Sequence, residues 1–249
     1  MTTNPARRRK IHFMSNEPTR PWRYRAIAFD LDGLLIDTEP VFTEAARRYL
    51  EKRAIAFDAD FMHAIMGAPA AQTLPRFREH FRLTDSLEAI ADEYKFHFYD
   101  VLGEQPGPLM PGVTELLDRL REQQIPCAIV TSSGPDFVAQ VFGPHRLLER
   151  FQFVLTCDDV KHGKPCPDVY ELAAKRFGIK PVEMIVLEDS PNGLRAAIAA
   201  GARCIVVPHP LTPLAKLDGA DAVVSSLASA ELFAILGLHD RALSGPRSP

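Results

Sequence analysis

The sequence lacks the features on which export, membrane insertion and nucleic-acid binding usually depend. Its four cysteines, Cys127, Cys157, Cys166 and Cys204, show no CxxC spacing, so we read them as reduced thiols. The apolar runs, such as residues 205–207, are far too short to cross a bilayer. The net charge of −3 provides no basic field that would attract nucleic acid. We therefore expect neither a membrane nor a nucleic-acid partner.

The N-terminal segment lacks the apolar core of a signal peptide. Residues 7–10 are consecutive basic residues, but polar residues and prolines follow them. Nothing marks the protein for export, so a cytoplasmic localisation is expected. We interpret residues 1–23 as a disordered basic leader and residues 236–249 as a loose tail.

Apolar strands alternate with helices along most of the chain. The composition, 46% hydrophobic and 24% charged over 249 residues, is typical of a globular protein. Strands are predicted at residues 24–29, 127–130, 153–155, 184–187, 204–207 and 222–224. The alternation predicts an α/β fold with a Rossmann-like, doubly wound parallel sheet, whose ligands gather at the carboxyl ends of the strands.

The alternation disappears over residues 39–106. Long helical stretches, residues 39–52 and 87–102, replace it, which predicts an inserted α-helical cap. The core domain then comprises residues 24–38 and 107–235. Pro40 and the Gln-Pro-Gly-Pro run at 105–108 suit two hinge segments between cap and core.

Two carboxylates follow the first predicted strand. Asp30 and Asp32 are alternate residues, so both side chains can point towards the same edge of the sheet. One could attack phosphorus as a covalent nucleophile, and the other could move a proton. An Asp-Gly pair after a strand also forms ordinary turns, so this motif by itself is a modest signal.

Polar residues also follow the second predicted strand and a later loop. Thr131 and Ser132 could hold phosphate oxygens through hydroxyl and backbone N–H groups, or could simply be turn or cap residues. Lys164 could offset the charge that anions bring to the site, or could be a solvated loop lysine.

Glu188 and Asp189 end the fourth predicted strand. Oxygen ligands from Asp30, Asp189 and a loop carbonyl suit Mg²⁺, which normally keeps several waters. The structural alternative is a helix cap made by an aspartate or by Ser190. The order of all these groups, and their shared place at strand ends, nevertheless favours a single catalytic site.

Four segments resemble the haloacid dehalogenase-like hydrolases, in the subgroup that contains β-phosphoglucomutase and many sugar-phosphate phosphatases. The resemblance spans about residues 25–224, and the segments that carry it are 29–39, 129–133, 163–168 and 187–193. It implies hydrolysis through an aspartyl-phosphate intermediate, with Asp30 as nucleophile and metal ligand. Asp32 would be the general acid and base and would lend its backbone carbonyl to the metal.

The resemblance also assigns the remaining site residues. Thr131 and Lys164 would bind the phosphoryl group, and Asp189 would ligate Mg²⁺. Glu188 would either ligate the metal or hold a metal-bound water. The expected substrate is a small phosphorylated metabolite, and specificity should reside mainly in the cap.

A phosphomutase is the runner-up function. β-Phosphoglucomutases carry a histidine after the DxD motif and a cap arginine that grips a distal phosphate, whereas this chain has Phe42 and Ala70 at those places. Without that clamp a bisphosphate intermediate is hard to retain, so hydrolysis is favoured. Arg76, Arg78 or Lys95 could supply a phosphate contact from another position.

Three other functions are weaker. Dehalogenases of the family lack the second aspartate, which is present here as Asp32. A signalling receiver domain carries its acceptor aspartate on a later strand, whereas Asp30 follows the first. A non-catalytic binding protein would not need Asp30, Asp32, Lys164 and Asp189 together.

Overall fold

The described chain contains six strands and nine α-helices. A computed structural model describes residues 23–65, 70–142, 147–210, 212 and 214–238. The predicted basic leader, except Arg23, lies outside the described residues. In chain order the elements are β1 (Ala26–Phe29), α1 (Glu39–Glu51), α2 (Ala59–Ile65), α3 (Ala70–His80), α4 (Leu87–Glu104), α5 (Val113–Glu122), β2 (Cys127–Val130), α6 (Pro135–Phe142), β3 (Phe153–Leu155), α7 (Asp168–Phe177), β4 (Met184–Glu188), α8 (Pro191–Ala200), β5 (Arg203–Val206), β6 (Ala222–Val223) and α9 (Ala230–Leu236).

The strands form one parallel sheet in the order β3-β2-β1-β4-β5-β6. This confirms the predicted α/β, doubly wound fold. The register pairs Phe29 with Ile129 on one side and with Leu187 on the other, so β1, β2 and β4 end at the same level. The residues that follow these three strands therefore meet at one edge of the sheet.

Helices cover both faces of the sheet, because its strands are apolar on both sides. In β1, Ile27 and Phe29 belong to a hydrophobic cluster with α5, α6 and α9. Ala28 points the other way and joins a cluster with α7 and α8. Alternate residues of a strand face opposite sides, so a strand buried between two helical layers must be apolar throughout.

Helices α1 to α4 form the cap, with a small hydrophobic core of their own. Tyr49, Phe77 and Ile90 are buried in that core, and α1 packs mainly against α4. Helix α2 is short, with 7 residues, and Pro75 lies inside the 11-residue helix α3. The sequence pattern indicates only the two long cap helices, since a proline and a short span both weaken the helical signal.

Two segments connect the cap to the core, and they hydrogen-bond to each other. The N–H of Asp37 donates to the carbonyl of Pro108 at 2.9 Å, and the N–H of Met110 donates to the carbonyl of Leu35 at 3.0 Å. Gly107 allows this close approach, because a Cβ there would lie 2.1 Å from the main-chain oxygen of Asp37. The chain thus leaves the core and returns to it through two adjacent segments.

The C-terminal boundary of the core differs from the sequence interpretation. Helix α9 was not among the predicted elements, and its last residue, Leu236, is buried together with Leu238. The core therefore continues to residue 238 instead of giving way to a loose tail at 236; the predicted tail beyond 238 lies outside the described residues. Among those residues, no helix combines the length and the apolar character that crossing a membrane requires.

Two isoleucines provide a test of the sheet core. Ile185 on β4 is fully buried, whereas Ile198 on α8 is 44% exposed. We expect Ile185→Ala to lower the free energy of unfolding by about 2–5 kcal/mol through lost burial and a residual cavity. Ile198→Ala should change it by less than about 0.5 kcal/mol. Urea unfolding checks both values, and equal losses would contradict the burial that the structure shows.

Candidate active site

A cavity of about 660 Å³ lies between the cap and the carboxyl ends of the strands. This volume is within the range of small-molecule sites. Six of the seven predicted site residues line it, namely Asp30, Asp32, Thr131, Ser132, Lys164 and Asp189. The seventh, Glu188, is fully buried and contacts the cavity residues through Lys164.

Lys164 joins three strand ends. Its Nζ donates to Asp30 Oδ1 at 2.5 Å, to Glu188 Oε1 at 2.6 Å and to the carbonyl of Val130 at 2.8 Å. The lysine side chain is only 3% exposed. Burial by itself lowers the pKa of Lys164, but the adjacent carboxylates of Asp30 and Glu188 outweigh burial and raise it. Lys164 is therefore a fixed positive charge in the floor of the cavity.

Glu188 is held on both of its carboxylate oxygens. The hydroxyl of Tyr170 donates to Oε1 at 2.6 Å, and the hydroxyl of Ser190 donates to Oε2 at 3.0 Å. Ser190 also caps α8, because its Oγ accepts from the N–H of Gly193 at 3.1 Å. The capping role considered for this segment thus belongs to Ser190. Asp189 is left to face the cavity.

Three carboxylates are arranged so that they could hold a metal ion. One oxygen each from Asp30, Glu188 and Asp189 lie within 4.8 Å of one another. Burial, followed by repulsion from the other two carboxylates, raises the pKa of Asp189 well above its ordinary value. Lys164 supplies only one positive charge against them. A divalent cation fits this donor set, since it would balance the charge and prefers oxygen ligands.

Gly33 leaves the space that Asp189 occupies. A Cβ at Gly33 would lie 2.6 Å from Asp189 Oδ2, and its φ of +81° also favours glycine. The DxDG motif therefore provides two aspartates and, at Gly33, the space for the carboxylate of Asp189, which follows β4.

Asp32 is set apart from the other carboxylates by its own partner. It accepts a hydrogen bond from the hydroxyl of Thr38. Burial raises the pKa of Asp32, while the bond from Thr38 and the proximity of His209 oppose the rise. A carboxyl group with a raised pKa carries its proton closer to neutral pH, which suits an acid that protonates a leaving group.

The loop after β2 lies beside the nucleophile candidate. The N–H of Ser133 donates to Thr131 Oγ1 at 3.0 Å, which fixes the buried Thr131 side chain. Ser132 is exposed to the cavity, and α6 begins at Pro135. Phosphate binding by Thr131 and Ser132 stays a prediction, now with both residues placed next to Asp30 and Lys164.

Three supporting residues were missed in the sequence. Thr38 bonds Asp32, Tyr170 bonds Glu188, and Thr212 donates to the main-chain oxygen of Asp189 at 3.0 Å. Thr38 lies within the first family-like segment, so it could have been singled out there. Tyr170 and Thr212 give no local signal, because their roles depend on helix and loop packing.

The cap covers the cavity with a mainly apolar wall. Its aromatic members include Phe42, Phe77 and Phe98, and Glu39 and Lys95 are also in the lining. Of the three basic residues considered for a distal phosphate, Lys95 is the one that lines the cavity. Ala70 is placed at the start of α3, and its side chain is outside the described part.

Comparisons with known proteins agree with this geometry. Residues 27–207 match the family model described as Haloacid dehalogenase-like hydrolase. The chain is 36% identical over 207 residues to the "Probable pseudouridine-5'-phosphatase" of Drosophila melanogaster, covering 80% of this chain and 88% of the relative. It is 35% identical over 180 residues to the "Phosphorylated carbohydrates phosphatase" of Thermotoga maritima, covering 71% and 81%.

A solved structure resembles the whole arrangement of cap and core. The crystal structure of CbbY from Rhodobacter sphaeroides in complex with phosphate superposes with a TM-score of 0.66 at 28% identity, covering 82% of this chain and 95% of that protein. Together with the family match, it confirms the predicted fold and the predicted resemblance.

Two helical glycines test the packing around Glu188. A Cβ at Gly193 in α8 would lie 1.7 Å from Glu188 Oε1, whereas a Cβ at Gly103 in α4 would meet nothing within 4 Å. We expect Gly193→Ala to lower the free energy of unfolding by about 1–3 kcal/mol because it overpacks the site. Gly103→Ala should raise it by up to about 1 kcal/mol. A neutral Gly193→Ala in thermal and urea unfolding would contradict this placement of Glu188.

Asp30 should make the stability of the metal-free protein fall with rising pH. Burial is the main cause that raises its pKa from 3.8 to about 7, and Lys164 opposes it. Between these values the unfolded chain has released a proton that the folded chain keeps, so stability is lost as pH rises through this window. The measurement is the free energy of unfolding in a metal chelator from about pH 4 to about pH 7, relative to Asp30→Asn, which cannot titrate. A wild-type advantage that grows with pH would contradict the raised pKa.

Proposed function

The chain belongs to the haloacid dehalogenase-like hydrolases, and on this basis we propose that it is a Mg²⁺-dependent phosphatase of small phosphomonoesters. Its intermediate is an aspartyl phosphate on Asp30. One observation carries the proposal: Asp30 lies under a cap, in contact with a buried lysine and beside a set of carboxylates suited to a metal. The two similar relatives named as phosphatases support the same reaction class.

In the first step, an Asp30 carboxylate oxygen attacks the phosphorus of the substrate. The bond between phosphorus and the ester oxygen breaks, and Asp32 gives its proton to the departing alcohol. Thr38 keeps the Asp32 carboxyl group in place through its hydrogen bond. The products of this step are a free alcohol, an ionised Asp32 and phosphorylated Asp30.

In the second step, Asp32 acts in the opposite direction. Its carboxylate takes a proton from water as the water oxygen attacks phosphorus, and the bond between phosphorus and Asp30 breaks. Inorganic phosphate leaves, and both aspartates return to their starting states. One group therefore serves as acid and then as base, and burial favours the acid role because it raises the pKa of Asp32 above its ordinary value.

Charge stabilisation accompanies both steps. Lys164 is fixed against Asp30, and Thr131 and Ser132 lie where phosphoryl oxygens would bind. Mg²⁺, held by Asp30, Asp189 and the carbonyl of Asp32, would supply positive charge to the phosphoryl oxygens. Glu188 orients Lys164 and completes the acidic set.

A phosphomutase is the second candidate. Lys95 on the cap wall could contact a distal phosphate, which is the observation that keeps this function in view. It is exposed, and its Nζ lies 5.9 Å from the centroid of the Tyr99 ring, which also lines the cavity. Phe42, at the place where the mutases carry a histidine, is apolar and packs against Phe98. Hydrolysis therefore remains the better-supported reaction.

Asp30→Asn is expected to abolish phosphate release. The substitution keeps the shape of the side chain but removes the nucleophilic anion. Phosphate release from a panel of phosphomonoesters should be Mg²⁺-dependent in the wild type and fall to background in the variant. In acid-quenched wild-type enzyme, borohydride should reduce the acyl phosphate at position 30 to homoserine, detected by peptide mass.

Asp136→Asn is the matched control, because Asp136 is an exposed residue of α6 outside the cavity lining. It should retain wild-type turnover. Wild-type turnover in Asp30→Asn, or label at another residue, would refute the mechanism. Conversion of β-glucose 1-phosphate to glucose 6-phosphate with a bisphosphate primer, without phosphate release, would establish the mutase instead.

A further inference from the structure

Glu39 is a cavity carboxyl group that the proposed chemistry does not use. Four carboxyl residues line the cavity among the described residues, and they are Asp30, Asp32, Glu39 and Asp189. The other three are assigned to nucleophile, proton transfer and metal binding. The side chain of Glu39 has no hydrogen bond or ion pair to any described residue, although it is half-buried. The Glu39 carboxyl group is therefore available to a ligand that enters the cavity.

Glu39 lies on the leaving-group side of the cavity. Asp32 and Asp37 are the two charged neighbours whose repulsion adds to burial in raising the pKa of Glu39 to about 7. Glu39 also begins α1, directly after Thr38, the residue that bonds Asp32. In the proposed mechanism Asp32 protonates the ester oxygen, which brings the carbons carried by this oxygen to the part of the cavity that Asp32 and Glu39 line.

An aromatic, apolar wall flanks Glu39 in the cavity lining. Phe42 and Phe98 of the cap and Phe137 of the core helix α6 form this wall. The hydroxyl of Tyr94 donates to the main-chain oxygen of Phe42 at 2.6 Å, so its proton is already used. Among the described cap residues that line the cavity, Glu39 is the one that carries a carboxyl group, and it is therefore the acceptor that the cap offers to a substrate hydroxyl.

We propose that Glu39 is a specificity residue that accepts a hydrogen bond from a substrate hydroxyl on the carbon next to the phosphoester carbon. This rests on the proposed phosphatase function and deepens it. The substrate class is then a polyol or sugar monophosphate with a vicinal hydroxyl. The same carboxylate, next to Asp32 and Asp37, disfavours substrates that place a second anion there, such as phosphorylated hydroxy acids.

The experiment compares substrates that differ in one hydroxyl. Values of kcat/KM are measured for propyl phosphate, 1,2-propanediol 1-phosphate and 1,3-propanediol 1-phosphate, with p-nitrophenyl phosphate as a hydroxyl-free reference. The enzymes are wild type, Glu39→Gln, Glu39→Leu and, as a control on the exposed side of the same helix, Glu51→Gln. Thermal unfolding verifies that each variant is folded.

At a pH above about 7, where Glu39 is ionised, the wild type and Glu51→Gln should prefer the 1,2-diol phosphate over propyl phosphate by about tenfold or more, as expected for a hydrogen bond to a charged group. In Glu39→Leu the ratio of kcat/KM for these two esters should fall to about one, whatever the variant's activity on p-nitrophenyl phosphate, and Glu39→Gln should be intermediate. A preference that survives in Glu39→Leu, or a wild type that treats the diol and propyl esters alike, overturns the inference and leaves the phosphatase standing. No release from any ester by the wild type overturns both.

Discussion

The structure of the site depends on one buried ion pair network, in which Lys164 bridges Asp30 and Glu188. Desolvating three charged groups is expensive, and their attraction repays the cost only when the geometry is fixed and other polar atoms are satisfied. Here the main-chain oxygen of Val130 accepts a third hydrogen bond from the lysine ammonium group, and the hydroxyl of Tyr170 donates one to Glu188. Removal of one partner of such a pair typically costs about 3–5 kcal/mol, because the others stay buried and unpaired.

This network also explains why the sheet order matters for chemistry. Asp30 follows β1, Val130 ends β2 and Glu188 ends β4, and these strands are neighbours. Lys164 reaches them from a loop far along the chain. The lysine balances one negative charge, so the carboxylates remain in excess. Folding therefore concentrates negative charge at one edge of the sheet, where the proposed mechanism requires a cation, and this excess charge lowers stability when no cation balances it.

The sequence indicated which residues meet at the edge of the sheet better than it indicated the residues that support them. The grouping of Asp30, Lys164 and Asp189 could be predicted because strand ends and short motifs are local signals, and a parallel sheet brings strand ends together. The contributions of Tyr170 and Thr212 could not, since each bonds a residue distant in sequence through tertiary packing. Helices α2, α3 and α9 were also not predicted, because a short span in α2 and α9 and the internal Pro75 in α3 weaken the helical pattern, whereas the six strands were located to within a few residues.

The groups proposed for catalysis and the residues expected to select the substrate lie on different parts of the fold. The groups proposed for catalysis follow strands that are buried on both faces, so their positions follow from the fold. The cavity's other wall comes from α1 to α4, which have a small core of their own and two connecting segments to the sheet. We therefore expect substitutions on that wall to alter substrate binding while Asp30 and Lys164 keep their places. Glu39 lies where the cap joins the core, because it is the first residue of α1 and a neighbour of Asp32. If Asp32 is the acid and Glu39 the hydroxyl acceptor, as proposed, recognition of the alcohol occurs beside the proton that releases it, and for this reason the substrate class is inferred from the beginning of α1.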